Sequence, residues 1–307
     1  MTIKSTISAR VISNKPLQKG KACKYFRMAL ALAKPVEKVI PGQFIHIRLD
    51  SKSHILPRPF TIYDVKNNGR VIEVVYQVVG QGTELMSHLS ARGGSALGGK
   101  PSDKVRVLCP LGNGFRINKK ARMSVIVAGG IGLAGLYLLL KQMTAQRIKN
   151  IYLFIGARTK DDLCLLPEFQ KLNQYIVVTT EDGSLGAKGL ITTALKRFIE
   201  KSQIPNLKSQ ISLYSCGPTG MSQAVRKIAI ARHIPCQLSL EARMGCGVGL
   251  CRVCVCPVRS EHGKDSNHFG DSNISTVNAS NGVCKNSKYS YATVCEDGPV
   301  FSAQDLA

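Results

Sequence analysis

The chain has 307 residues, room for about two domains, and its 44% apolar and 20% charged residues exclude a largely disordered polymer. Lys and Arg number 42 against 19 Asp and Glu, a net charge of +23 that points first to phosphate-bearing or acidic partners. The cations are scattered, with Lys15, Lys19, Lys21, Lys24 and Arg27 the densest stretch, and an aromatic fraction of 6% without Trp leaves little for base stacking, so a basic soluble surface is expected and not a nucleic-acid binder.

The N-terminus, MTIKSTISARVISN, has no apolar h-region and no cleavage site; no secretory signal is expected, and the predicted location is cytoplasmic. Residues 1–118 read as short strands (STISARVISN, KYFRMALAL, QFIHIRLD, PFTIYDV, RVIEVVYQVV, KVRVLCP) separated by Pro-Gly, Asn-Gly and Gly-rich turns, the pattern of a small antiparallel β-barrel. Residues 119–238 alternate apolar strands (SVIVA, IYLFIGA, YIVVTT, ISLYS) with helical stretches, which predicts an α/β doubly wound parallel sheet. Met123–Leu140 is an uncharged run just long enough to span a bilayer. Gly129, Gly130, Gly132 and Gly135 interrupt it, so a strand, a glycine turn and a helix are predicted there instead of a membrane segment. Residues 239–307 become Gly- and Cys-rich and then Ser/Asn-rich, with little apolar material for a core, so another cohesive element is expected in this small C-terminal unit.

Eleven cysteines are many for a chain without a secretory signal, and six of them lie from Cys246 onward, which argues for metal over disulfides. Cys246, Cys251 and Cys254 form a C-x4-C-x2-C run, the spacing of plant-type [2Fe–2S] ligation with a distant fourth cysteine. Gly245, Gly247 and Gly249 would let backbone N–H groups approach the cluster sulfurs. Zinc usually takes paired C-x2-C units, and the second pair is missing. For the fourth ligand Cys256, Cys284 and Cys295 compete. Cys256 would alternate away from a site that Cys254 faces. Cys284 ends the polar stretch Ser260–Asn286, which reads as an insertion loop; Cys295, in ATVCEDGPVF after a predicted strand, is preferred.

Leu56-Pro-Arg58-Pro59-Phe60-Thr61 sets an arginine, an aromatic ring and a hydroxyl at the head of a barrel strand, where Arg58 could fork onto a diphosphate and Thr61 could bond a ring edge. Gly80, Gly82 and Thr83 before the helix ELMSHL form an anion-binding turn. Ala128-Gly129-Gly130-Ile-Gly132 ends the first parallel strand, and Gly156–Arg158 and Ser215–Pro218, with Cys216 and Gly217, end two others. These share the carboxyl edge of the sheet, where doubly wound folds bind ligands. At that edge four carboxylates (Asp161, Asp162, Glu181, Asp182) against Arg158 and Lys160 favour NAD(H) over NADP(H).

In chain order, RPFT, GxGT, CPLGNGF, AGGIG, TTEDGSLGAKGLIT, YSCGPTGM, SLEARMGCGVGLCRVCVC and VCEDGPVF resemble the electron-transfer subunit of class 1B (NAD-dependent) dihydroorotate dehydrogenase, within the ferredoxin–NADP reductase superfamily. The resemblance covers nearly the whole chain. It implies FAD on the barrel (Arg58, Pro59, Phe60, Thr61, Val75, Tyr76, Gln77, Gly82, Thr83), NAD(H) on the sheet (Gly129, Gly130, Gly132, Arg158, Cys216, Gly217) and a [2Fe–2S] cluster on Cys246, Cys251, Cys254 and Cys295. It further implies an oxidoreductase subunit in pyrimidine (UMP) biosynthesis that passes electrons between an FMN-containing dihydroorotate dehydrogenase subunit and NAD+, in a heterotetramer of two of each. A related reductase, hydrogenase or sulfide-reducing complex would share the three-part plan. The chain departs from the pattern in its long Ser/Asn-rich insert, in Gln77 where a basic residue is usual, and in the Gly-rich segment Arg92–Pro101 before CPLGNGF, where Cys109 replaces a glycine.

Overall fold

The computed structural model describes residues 6–18, 24–49, 56–89, 104–173, 175–202, 210–259 and 289–307. Lys19, Lys21, the segment 92–101, Cys284 and the 260–286 insert lie outside the described residues.

Six strands close into an antiparallel barrel in the order β1 (Ile7–Pro16), β2 (Tyr25–Leu32), β5 (Val71–Gln77), β4 (Arg58–Lys66), β3 (Phe44–Arg48) and β6 (Lys104–Leu111). Their β-branched and aliphatic residues alternate inward, and Met28, Leu30, Ile45, Ile47, Ile62, Ile72, Val74 and Val107 fill the interior. A short helix, α1 (Gln81–Ser87), follows β5.

The second layer is a seven-stranded sheet in the order β10 (Ala187–Lys188), β9 (Ile176–Thr180), β8 (Ile151–Ala157), β7 (Met123–Gly129), β11 (Ile211–Cys216), β12 (Cys236–Ser239) and β15 (Val300–Ser302). The central strands are parallel and almost wholly buried, which is why β7 and β8 read as near-continuous apolar runs, while β11 (ISLYSC) is equally buried with two serines in it. Helices α2 (Tyr137–Ala145), α3 (Leu166–Leu172), α4 (Ile191–Lys201) and α5 (Thr219–Ala231) connect the parallel strands. In α4, Ile191, Leu195 and Ile199 recur at helical spacing and form the buried stripe. Leu195 is fully enclosed, so Leu195→Ala would cost about 2–5 kcal/mol.

The Met123–Leu140 run resolves into β7, a 3₁₀ turn over Gly130–Leu136 and the start of α2. Among the described residues no helix is long and apolar enough to cross a membrane.

The tail departs from the expectation that apolar burial plays little part in it. Beyond β12, β13 (Val255–Arg259) pairs with β14 (Tyr289–Thr293), and β15 returns antiparallel to β12, with Leu238 opposite Phe301. Cys254, Val258, Val294, Cys295, Phe301 and Leu306 share one core with Val125, Leu213 and Leu238 of the sheet and Phe44 of the barrel. A tail too poor in apolar residues for its own core completes that of its neighbours.

Candidate functional site

The order β9-β8-β7-β11-β12 reverses direction between β7 and β11, so the switch point of the sheet lies at the ends of those two strands. Gly129 pairs with Gly156 of β8 and Ala128 with Cys216 of β11, which brings the predicted nucleotide segments level at one edge. The packing there is close: a Cβ on Gly132 would lie 2.5 Å from the Cys216 carbonyl oxygen and 2.6 Å from the Gly217 Cα. Gly130 opens the 3₁₀ turn at φ +52°. Arg158 is exposed past the end of β8, and its carbonyl accepts from the Asp182 N–H. Cys216 is buried, which pushes its thiol up to about 12 and keeps it neutral.

The balance of charge at this edge differs from the sequence expectation in one residue. Asp162 turns to the barrel, where it meets Lys24 Nζ at 2.6 Å and accepts from Tyr25 Oη at 2.8 Å. Asp161, Glu181 and Asp182 remain exposed. Sequence spacing placed Asp162 beside Asp161, but in the 3₁₀ turn over Lys160–Leu163 the Asp162 side chain turns to Lys24 and Tyr25 while Asp161 stays exposed.

On the barrel, Arg58 starts β4 and donates from Nη1 to the Leu56 carbonyl at 2.7 Å. Its guanidinium lies over Gly82, where an added Cβ would come within 2.1 Å of Nε and Nη2. Cation and helix start therefore face one point, a combination suited to a diphosphate. Thr83 organises the turn: its hydroxyl accepts from the N–H of Val79 at 2.9 Å and of Gly80 at 3.2 Å, and donates to the Gly80 carbonyl. Pro59 and Phe60 are half-buried on β4. Tyr76 is buried, with Phe26 stacked on it at 5.7 Å and Phe60 tilted against it at 5.6 Å, and its hydroxyl donates to Asn14 Oδ1. Tyr76 and the buried Val75 can therefore offer a ligand only backbone, while Gln77 at the end of β5 is half-buried.

Thr61 connects the two layers. An ideal Cβ on Gly135 would sit 3.1 Å from Cys216 Sγ and 3.6 Å from Thr61 Cγ2, so the flavin-type strand abuts the switch point directly. This apposition is held by side chains to which the sequence reading gave no role at the site. Glu168 accepts from Tyr63 Oη at 2.7 Å and pairs with Arg27; the Arg27 guanidinium lies 4.9 Å from the Tyr63 ring centre, and Tyr63 stacks on Tyr137 at 4.3 Å. Lys141 reaches both oxygens of Asp64 at 2.7 and 2.9 Å. Asn14 Nδ2 donates to the carbonyls of Met86, Ser87 and Leu89 and so closes the end of α1.

In the tail, Gly247 and Gly249 adopt φ +74° and +80°, which turns the Cys246–Cys254 loop back on itself. Backbone N–H groups then point at sulfur: Cys251 N lies 3.3 Å and Val248 N 3.5 Å from Cys246 Sγ, and Cys246 N lies 3.4 Å from Cys251 Sγ. Gly249 N donates to Cys295 Sγ at 3.1 Å, so Cys295 is brought to the loop from 46 residues away. Asp297 holds its turn by accepting from Thr293 N at 2.7 Å and Thr293 Oγ1 at 2.9 Å. Asn113 of the CPLGNGF segment donates to the carbonyls of Glu296 and Asp297, both at 3.0 Å. Cys256, on β13, is half-buried, and burial pushes its thiol up to about 11.

Among the described residues no three ligating side chains converge as a single metal ion requires. The four thiols instead form two pairs, Cys246 with Cys251 and Cys254 with Cys295. Two pairs, rather than one tetrahedral point, fit a two-iron cluster. Backbone N–H groups of Val253 and Cys246 draw the exposed Cys251 thiol down to about 7, while burial pushes Cys295 up to about 12. Iron would supply the positive charge that keeps the buried member a thiolate.

The chain is similar to known proteins over nearly its whole length. Residues 126–227 match the oxidoreductase NAD-binding domain, and residues 241–269 match the iron-sulfur cluster binding domain of dihydroorotate dehydrogenase B. The dihydroorotate dehydrogenase B (NAD(+)) electron transfer subunit of Caldanaerobacter subterraneus subsp. tengcongensis is 33% identical over 300 residues, covering 98% of each chain. That of Enterococcus faecalis is 32% identical over 291 residues, 94% of this chain and 95% of the relative. In fold, the chain is similar to an NADH-dependent reduced ferredoxin-NADP oxidoreductase (TM-score 0.70, 24% identity, 97% and 89% of the two chains) and to phthalate dioxygenase reductase (TM-score 0.58, 16% identity, 83% and 73%). This chain belongs to the family of dihydroorotate dehydrogenase B electron transfer subunits.

Proposed function

We propose that this chain carries electrons between NAD(H) and a dihydroorotate-oxidising partner, through FAD on the barrel and a [2Fe–2S] cluster in the tail, in pyrimidine synthesis. The observation that carries the reading is the position of β4. Its residue Thr61 lies against Gly135, which also meets Cys216 at the nucleotide edge, and its Pro59 pairs with His46 of β3, whose ring lies against Gly247 of the cysteine loop. The flavin-type strand thus stands between the other two sites.

When bound, FAD joins two-electron exchange with nicotinamide to one-electron exchange with the cluster. Arg58, with the backbone of Gly82 and Thr83, would hold its diphosphate; Thr61, Phe60, Pro59 and the backbone of Val75–Gln77 would seat the rest. Gly129, Gly130, Gly132, Cys216 and Gly217 would leave room for the nicotinamide nucleotide beside Thr61, and exposed Arg158 would meet its outer half. Cys246, Cys251, Cys254 and Cys295 would hold the cluster, supported by the two-pair arrangement and the N–H groups directed at the sulfurs. The partner is read as an FMN-containing catalytic subunit, two copies of each chain forming the assembly in the cytoplasm, as the kinship with dihydroorotate dehydrogenase B electron transfer subunits suggests. The isolated protein tests the cofactor set. Flavin and iron–sulfur absorption, both bleached by NADH, are expected; bound zinc without a chromophore would overturn the reading.

A further inference from the structure

His46 is used by none of the steps above, yet its setting is unusual. It lies on β3, opposite Pro59 of the flavin-type strand and Leu108 of β6, with the Phe44 ring edge-on at 5.6 Å. None of these three neighbours carries a side-chain hydrogen-bonding group. The imidazole is 2% exposed, and neither Nδ1 nor Nε2 has a hydrogen-bond partner among the described residues. A neutral imidazole carries one N–H donor and one acceptor, and buried polar atoms in folded proteins are almost always paired.

The ring faces the cysteine loop. A Cβ on Gly247 would lie 2.6 Å from Cε1, 2.7 Å from Nδ1 and 3.1 Å from Nε2, so the imidazole occupies the space that any larger residue between Cys246 and Val248 would need. An unpaired donor, buried and held against the loop that collects three of the cluster thiols, is a donor awaiting sulfur.

We propose that His46 donates a hydrogen bond from its ring N–H to a sulfur of the [2Fe–2S] cluster and thereby sets the cluster's reduction potential and its sharing of electrons with the flavin. The inference rests on the iron–sulfur reading of the tail. Donors to cluster sulfur offset the extra negative charge of the reduced state and raise the potential.

The experiment is an EPR-monitored redox titration of the cofactor-loaded protein as wild type, His46→Phe and His46→Gln. His46→Phe keeps a ring without a donor. It is expected to shift the one-electron equilibrium about tenfold toward the oxidised cluster, ~59 mV lower; His46→Gln, which keeps an N–H, recovers at least half of that shift. An unchanged potential in His46→Phe overturns the proposal. Should His46→Phe fail to assemble, pulsed EPR on protein carrying ring-¹⁵N histidine, with His262→Gln and His268→Gln to clear the insert, reads the same contact. A histidine-nitrogen coupling to the reduced cluster is expected, and its absence overturns the assignment. Wild-type protein with no cluster signal at all would instead refute the iron–sulfur reading itself.

Discussion

Gly82→Ala separates flavin binding from folding. Gly82 lies buried in the first turn of α1, directly beneath the Arg58 guanidinium. A methyl group there would sit 2.1 Å from Nε and Nη2, against about 3.5 Å for ordinary contact, so the guanidinium must retreat by more than ~1 Å. An arginine end can move, and alanine favours helix over glycine, so the flavin-free chain should keep or gain stability, by at most about 1 kcal/mol. The diphosphate contact cannot survive the same shift. A hydrogen bond to a charged group contributes ~1.5–3 kcal/mol, and losing one arm of a two-pronged contact predicts FAD binding about 10–100-fold weaker. Arg58→Ala, which removes both arms, should lose more. Fluorescence titration of flavin-stripped protein gives the affinity, and a thermal melt without FAD gives the stability. Wild-type affinity in Gly82→Ala, or stoichiometric flavin in Arg58→Ala, would refute the assignment of this turn to the diphosphate.

Cys254→Ser should abolish iron–sulfur absorption while most FAD remains, whereas Cys256→Ser, on the half-buried side of β13, should leave the cluster in place. Flavin reduction by NADH should exceed that by NADPH at physiological ionic strength, and Asp162→Asn should leave that preference unchanged because Asp162 turns to Lys24. For Asp162 itself, burial raises the carboxyl, and hydrogen bonds from Lys24 and Tyr25 outweigh it, so its pKa is depressed. A depressed carboxylate stabilises the fold above its unfolded pKa of about 3.9 and loses that contribution as pH falls through the folded value. The gap in thermal midpoint between wild type and Asp162→Asn should therefore be widest near neutral pH and close below about pH 4.

The parts of the structure legible in the sequence were those with local signatures. Apolar-rich segments running into glycine marked β7 and β11, and the C-x4-C-x2-C spacing marked the loop that turns at Gly247 and Gly249. Contacts between distant segments left no such trace. The alternation in QFIHIRLD gives two faces to β3, but nothing local says that the tail covers the outer one, so His46 read as an ordinary strand residue. Glu168, Arg27 and Tyr63 carry no local pattern that joins them, since their meeting depends on how the barrel docks on the sheet. The pairing of β15 with β12 joins segments about 60 residues apart, which is why the tail seemed to lack a core.

The central claim is that electrons from dihydroorotate reach NAD+ only by way of this chain. The direct measurement is anaerobic NAD+ reduction by the dihydroorotate-oxidising catalytic subunit with dihydroorotate, assayed alone, with this chain, and with its Cys254→Ser variant. The account predicts NADH formation with the wild-type chain and little or none in the other two. Equal NADH formation without this chain, or with the Cys254→Ser variant, would contradict it.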